Sequence, residues 1–134
     1  LLNQEFDYFV MAAAVGDFKV QNCSNNKISK ENIKDEIFEL KLFKNIDIVQ
    51  TMTQNKKENQ KIIGFCLADN NIVEIAKQKL ANKKLDFIVA NDVKTALNTE
   101  KNKVTIIEKS GKIVDIGLES KENIARKILE VVCD

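Results

Sequence analysis

The chain has no histidine, tryptophan or proline, only four glycines and only three cysteines. Without histidine, Ser-His-Asp and Cys-His nucleophilic systems, imidazole acid-base catalysis and histidine-containing zinc sites are excluded for this chain alone. Lysine, aspartate and asparagine must carry any chemistry. Cys23, Cys66 and Cys133 are odd in number and lack a CxxC spacing, which predicts inert free thiols in a reducing, cytoplasmic setting. With so few glycines there is neither a GxGxxG nor a P-loop, so a Gly-rich phosphate loop is expected only before Leu1. No apolar run reaches the roughly 18 residues of a membrane span, and LLNQEFDYF lacks the regions of a signal peptide. The start, with no initiating Met and an immediate strand pattern, reads as that of an excised domain.

What is present fits one globular domain over residues 1–134. Its 44% apolar residues and its length allow burial of roughly two-thirds of the unfolded surface. Twenty-one basic and twenty acidic residues give a net charge of +1, so bulk electrostatics ask for neither nucleic acid nor an acidic membrane. There are no repeats and no low-complexity segments.

Three apolar runs break off at acidic or amide tips: FVMAAAVGD at Asp17, IIGFCLAD at Asp69, and FIVAND at Asn91 and Asp92. Runs so short and so rich in Val, Ile and Phe read as buried parallel strands, and open α/β sheets bind ligands outside the carboxyl ends of such strands. The three tips are expected to share one rim that faces a polar small molecule.

The remaining order follows from pattern. A strand over about 6–14 precedes a polar, unpatterned stretch over 19–34, read as a mobile flap. Phe38, Leu40 and Leu42 alternate with charges in a half-exposed strand over 36–44. Asn45 is expected to cap a helix over 46–58 with Asp47 in its first turn, before a buried strand over 61–67. Asn71 and Glu74 resemble a capping box opening a helix to about Lys84, with Val73, Ala76 and Leu80 inward. A strand over 86–90, a polar loop over 93–102 and two strands around Ser110-Gly111 follow. Ser120 opens the last helix, with Ile124, Ile128, Leu129 and Val132 inward. Alternating strands and helices predict right-handed crossovers and a Rossmann-like α/β open sheet, mainly parallel, with a C-terminal antiparallel hairpin and helices on both faces.

Lys79 and Lys83, four apart, share one helical face, where they could clamp phosphate at the rim or form a plain solvated face. Lys27 and Lys30 follow Asp17 in the polar stretch. Asp17, Asp69 and Asp92 could equally be turn or cap residues.

AAAVGDF at 12–18, KISK at 27–30, LKLFKNIDIV at 40–49, GFCLADNN at 64–71 and AKQKLANKKLDFIVAND at 76–92 stand in one order along nearly the whole chain. Together they resemble the phosphopantothenate–cysteine ligase (phosphopantothenoylcysteine synthetase) family, the synthetase half of the bacterial bifunctional coenzyme A biosynthesis flavoprotein. That family's patterns are approximately AAVADW, KIKK, LxLxxNPDIV, GFAAETNN and D-x-IVAND. Each is weak alone, and five in register are specific. The chain departs from them at Ser29, at Ile46 in place of Pro, and at Leu67 and Asp69. The family's Gly-rich opening motif does not occur in it.

The resemblance implies a CTP-dependent ligase that joins 4′-phosphopantothenate to L-cysteine through an acyl-cytidylate, with Mg²⁺ and no flavin in this chain. It implies nucleotide contacts at Met11, Ala12, Ala13 and Asp17, at Ile46, Asp47, Ile48 and Val49, at Phe65, and at Lys79 and Lys83, with Lys27 as the catalytic lysine. Phe65 could stack on the base or simply sit in the core. The resemblance also implies a homodimer and a fused or associated flavin-dependent decarboxylase domain. A flavodoxin-like receiver, or a nucleotide-binding regulatory module without ligase activity, is the competing reading.

Overall fold

In the computed structural model, which describes residues 5–32, 37–93 and 101–134, the Val- and Ile-rich segments Lys61–Ala68 and Phe87–Asp92 lie side by side in a five-stranded sheet. In chain order the strands are β1 (Tyr8–Met11), β2 (Phe18–Val20), β3 (Leu42–Lys44), β4 (Lys61–Ala68), β5 (Phe87–Asp92), β6 (Lys101–Glu108) and β7 (Ile113–Ser120). The helices are α1 (Ile48–Asn55), α2 (Ile72–Asn82) and α3 (Lys121–Cys133). A short 3₁₀ turn occupies Lys30–Asn32.

The large sheet has the order β1-β4-β5-β6-β7. β1, β4 and β5 are parallel, β6 opposes them, and β7 opposes β6, so four of the five strands point one way. This is the expected Rossmann-like α/β sheet with its C-terminal hairpin.

Period-two alternation divides the core between two faces. On one, Ile62 and Cys66 of β4 and Ile88 and Ala90 of β5 meet Val49 and Met52 of α1 and Ala76 and Leu80 of α2. On the other, Ile63, Phe87, Val89, Val104, Ile106 and Ile116 meet Ile124, Ile128 and Val132 of α3. Two adjacent faces covered by helices explain why β4 and β5 read as continuous apolar runs. Gly64 is required where it stands: a Cβ there would lie 2.8 Å from Cδ1 of the buried Leu85, which packs under the sheet.

By contact the chain forms two compact units, one of Leu1–Ala12 with Ile48–Asp134 and one of Ala13–Asp47. The first holds the large sheet and the three helices of the described residues. The second holds the two-stranded antiparallel sheet β2-β3, in which Phe18 pairs with Lys44 and Val20 with Leu42.

Several boundaries differ from the sequence reading, each for a physical reason. β1 spans only Tyr8–Met11 and is an edge strand of mixed exposure, while Ala12–Ala14 are exposed and outside it, although β4 runs on to Ala68; alanine has little strand preference. The 19–34 stretch contains the end of β2 and the 3₁₀ turn, so it is not wholly unpatterned. The strand expected over 36–44 is confined to Leu42–Lys44, the stretch that β2 can pair; residues 33–36 lie outside the described residues. The loop expected over 93–102 falls mainly on 94–100, also outside them, and its last two residues belong to β6.

The three helix starts are capped differently. Ser120 is the N-cap of α3 and its hydroxyl accepts from the Asn123 backbone N–H at 3.2 Å. Asn71 precedes α2 with a left-handed backbone (φ 49°) and makes no side-chain cap hydrogen bond, so the capping box does not form. Asn tolerates that conformation, which takes its side chain away from the free N–H groups of the first turn. Asn45 does not cap α1. Its Oδ1 accepts from the adjacent Ile46 N–H, its Nδ2 donates to the Gly16 carbonyl, and α1 begins only at Ile48, so Asp47 precedes the first turn. Leu129 is 53% exposed and not part of the inward stripe, since the α3 face against the sheet is filled by Ile124, Ile128 and Val132.

Candidate functional site

β1, β4 and β5 run the same way, and α1 and α2 return antiparallel to them. Both helices therefore begin at the carboxyl ends of the strands and finish near the strand starts. The turn from α1 into β4, closed by Gln60 N–H to Lys57 O at 3.1 Å, makes this explicit. The strand-end side thus carries Met11 at the end of β1 with Ala12 just beyond it, Ala68 at the end of β4 with Asp69 just beyond it, Asn91 and Asp92 at the end of β5, and the first turns of α1 and α2. Free N–H groups at helix starts favour anions.

The sequence-derived site residues divide between the two units. Met11, Ala12, Ile48, Val49, Phe65, Lys79 and Lys83 belong to the sheet unit. Ala13, Asp17, Lys27, Ile46 and Asp47 belong to the smaller one. Of the three tips expected to share one rim, two, Asp69 and the Asn91-Asp92 pair, stand at neighbouring strand ends of the sheet unit. Asp17 lies in the other unit, six residues beyond the end of β1.

In the sheet unit the geometry assigns distinct capacities. Met11 pairs in register with Gly64, which puts it on the α1–α2 face, where it packs against the core while Ala12 is exposed. Val49 is buried and Ile48 packs against the same core, so their side chains support the helix, and only their backbone N–H groups are suited to meet a ligand. Phe65 points to the opposite face, partly buried against the Ile63 and Val89 cluster. It is both a core residue and an accessible aromatic surface.

Lys79 stands in the last turn of α2 and Lys83 is its C-cap residue, with its N–H donating to the Lys79 carbonyl at 3.0 Å. The pair therefore starts well back from the rim. Helical side chains lean toward the helix N-terminus, and the Lys79 ammonium acts on the Cys66 thiol, two residues before the end of β4. Burial pushes that thiol's pKa up, and Lys79 partly counters the rise. Lys77, two residues nearer the helix start, pairs with Glu74 at 3.7 Å.

In the smaller unit, Asp17 and Lys27 are both exposed. The Asp17 carbonyl accepts from the Asn45 N–H at 2.7 Å, and Asn45 Nδ2 reaches Gly16 O at 3.1 Å, so two hydrogen bonds tie the Asp17 loop to the segment carrying Ile46 and Asp47. Ahead of Lys27, Ser24 Oγ both donates to Asn26 O at 2.9 Å and accepts from Asn26 N at 3.1 Å. These contacts shape the backbone on which Lys27 is presented.

Sequence reasoning missed two polar features. Lys56, Asp86, Gln60 and the start of β4 form a partly buried network, joined across about 30 residues of chain with no local signature. Asn91 carries a buried Oδ1 with no hydrogen-bond partner among the described residues. An amide inside an otherwise apolar strand run was the signal available for it. Among the described residues no three His, Cys, Asp or Glu side chains cluster as a metal site, and no helix is long and apolar enough to cross a membrane.

Comparison with known proteins agrees with this fold. Residues 2–134 match the family described as DNA/pantothenate metabolism flavoprotein C-terminal domain. The coenzyme A biosynthesis bifunctional protein CoaBC of Borreliella burgdorferi is 40% identical over 129 residues, covering 96% of this chain and 32% of that protein. The Escherichia coli protein of the same name is 31% identical over 132 residues, again covering 96% of this chain and 32% of its own length. The chain thus spans about a third of these relatives. The crystal structure of a CoaBC C-terminal domain superposes with a TM-score of 0.71 at 28% identity, covering 94% of this chain and 53% of that one. The chain belongs to the DNA/pantothenate metabolism flavoprotein C-terminal domain family.

Proposed function

We propose that this domain catalyses the CTP-dependent ligation of 4′-phosphopantothenate to L-cysteine in coenzyme A biosynthesis. The observation that carries the reading is the family match over residues 2–134, which includes all five motif stretches, together with relatives named for coenzyme A biosynthesis.

The chemistry accounts for the residue types. A carboxylate is a poor electrophile, so one of its oxygens attacks the α-phosphorus of CTP, and the bond to the departing pyrophosphate breaks. The cysteine amine then attacks the acyl carbon, loses a proton and expels CMP. The first step brings two anions together, which calls for cations and oriented N–H groups. In our reading Lys27 neutralises charge at the reacting phosphate, and the backbone N–H groups of Ile48 and Val49 at the start of α1 face phosphate oxygens. Ala12 and Ala13 let the backbone approach the nucleotide closely. Phe65 offers its partly exposed ring to the base. Lys79 and Lys83 bind the outer phosphates, with Lys79 the better placed because it leans toward the rim. Ile46 and Asp47 lead the chain into α1, and the exposed Asp17 is the carboxylate of the first matched stretch.

Mg²⁺ fits such a site without a dedicated cage, since this ion is commonly held by substrate phosphates with one or two carboxylates. When bound it supplies charge neutralisation on the triphosphate.

We also propose a homodimer built through the smaller unit, where Phe18, Leu42 and Phe43 of β2 and β3 are all at least half exposed. A fused flavin-dependent decarboxylase domain and a cytoplasmic location complete the reading; the relatives are named as bifunctional proteins. The receiver alternative is disfavoured. It requires acidic residues at the end of the first strand and a lysine at a late parallel strand end, whereas β1 ends at Met11 and β6–β7 is an antiparallel hairpin.

Thermal unfolding of the full-length protein with Mg²⁺ and either CTP, ATP or no nucleotide tests nucleotide choice, because a ligand bound only by the folded state raises the apparent Tm. CTP is expected to raise it well beyond ATP, and Lys79→Ala to reduce the rise. Equal shifts from both nucleotides would remove the cytidine part of the proposal.

A further inference from the structure

Within the smaller unit, Asn45 joins two stretches of chain that are both assigned to the nucleotide. Phe18 pairs with Lys44, and one step beyond that pair the Asn45 N–H donates to the Asp17 carbonyl at 2.7 Å. The side chain then uses both ends of its amide. Nδ2 donates to the Gly16 carbonyl at 3.1 Å, across 29 residues of chain, and Oδ1 accepts from the Ile46 N–H at 3.0 Å. One residue thereby ties the backbone at Gly16 and Asp17 to the backbone that leads into Ile46 and Asp47.

This double use of the side chain asks for asparagine. Aspartate has the same length but no donor for the Gly16 carbonyl, serine is too short to span the gap, and glutamine carries its amide one methylene farther from the Ile46 N–H. Nor is the amide spent on a helix start, since α1 begins only at Ile48. Both side-chain bonds are exposed to solvent, so water replaces them when they are lost and their net worth to the fold is small. Water does not replace the fixed spacing between the two stretches. A ligand that touches both binds a prepared frame while the bridge is in place, and must supply the ordering itself once the bridge is gone.

We infer that Asn45 is a positioning residue for the nucleotide, holding Asp17 in register with Ile46 and Asp47 so that one CTP molecule meets both stretches. This rests on the ligase reading and adds to it a residue that acts through the backbone it fixes rather than by touching the ligand.

The test titrates CTP with Mg²⁺ into the full-length protein by calorimetry and follows amide formation at steady state. Asn45→Ala should raise Kd and KM for CTP about fivefold to tenfold, the scale of ordering one or two groups on binding. It should leave kcat at saturating CTP, and KM for 4′-phosphopantothenate and cysteine, within about twofold, and Tm within about 2 °C. Asn45→Ser, neutral and too short to reach Gly16, should match Asn45→Ala. Val20→Ala loosens the same unit at the far end of its ladder, where Val20 pairs with Leu42, and should leave Kd for CTP within about twofold. An Asn45→Ala or Asn45→Ser protein that binds CTP like the wild type overturns the inference. So does a Val20→Ala protein weakened to the same extent, which would mean general loosening, or an Asn45→Ala protein that melts far below the wild type, which would make the residue a fold determinant. A wild type that binds CTP yet forms no amide overturns the ligase reading alone, because the Kd comparison still decides the role of Asn45, and a wild type that binds no CTP overturns both.

Discussion

Asp86 holds Lys56 through both carboxylate oxygens, with Lys56 Nζ at 2.7 Å from Oδ1 and 2.5 Å from Oδ2, while Oδ2 also accepts the Ile62 backbone N–H at 2.8 Å. Lys56 donates further to the Gln60 carbonyl at 3.2 Å. One carboxylate thereby fixes the end of α1, the start of β4 and the start of β5 at the end of the sheet opposite the rim. Both side chains are less than one-fifth exposed.

Asp86→Ala strands the Lys56 ammonium and an amide N–H together. It should destabilise the fold by about 2–3 kcal/mol, the range for losing hydrogen bonds to a charged group. Asp86→Asn keeps the acceptor for Ile62 and should cost less. Chemical denaturation measures both, and equal losses would show that the charge, not the backbone contact, dominates.

Gly64→Ala places a methyl 2.8 Å from Leu85 Cδ1, whose side chain is only 2% exposed. The expected loss is about 1–3 kcal/mol from overpacking. Because the clash is with one side chain, Leu85→Val in the same protein should recover part of it, and a strictly additive double variant would contradict that account.

Ser120 and Asn71 precede helices but act differently, so substitutions should separate them. Ser120→Ala removes a real cap and should cost about 1 kcal/mol. Asn71→Gly, which suits φ 49° better, should be neutral or stabilising. A stabilising Ser120→Ala would refute the capping geometry.

Glu119 is held below its ordinary pKa, first by the hydrogen bond from Lys127 at 2.8 Å and then by that from Asn123 at 3.3 Å. A carboxyl whose pKa falls on folding adds stability that is present above its unfolded pKa and lost as pH falls through the folded one. Glu119→Gln should therefore melt lower than the wild type at neutral pH, and the gap should close below the carboxylate range. Melting curves across acid pH check this, and a gap that widened on acidification would reverse the sign.

The sheet was legible where burial dictates residue type. β4 and β5 are covered on both faces and read as unbroken apolar runs, and the hairpin around Gly111, whose φ is 95°, was visible from Ser110-Gly111. Legibility failed where only pairing decides. β3 ends where its partner β2 ends, and β1 stops at Met11 although β4 runs on to Ala68; no local pattern records either. The Asn71 side chain could cap or turn, and sequence alone does not choose between a backbone at φ 49° and an extended one. The site was legible as motif stretches, while the division of Met11 and Phe65 between opposite sheet faces, the network at Asp86 and the unused acceptor of Asn91 arise from tertiary packing.

The most direct measurement is turnover by the full-length protein given 4′-phosphopantothenate, L-cysteine, Mg²⁺ and CTP, following CMP, pyrophosphate and the amide product together. The account predicts all three in equal amounts, little turnover when ATP replaces CTP, and a Lys27→Gln variant that folds normally but forms amide at least about a hundredfold more slowly, the scale of one lost electrostatic contact in the transition state. No amide product from the folded wild type, or a Lys27→Gln variant as fast as wild type, would contradict it.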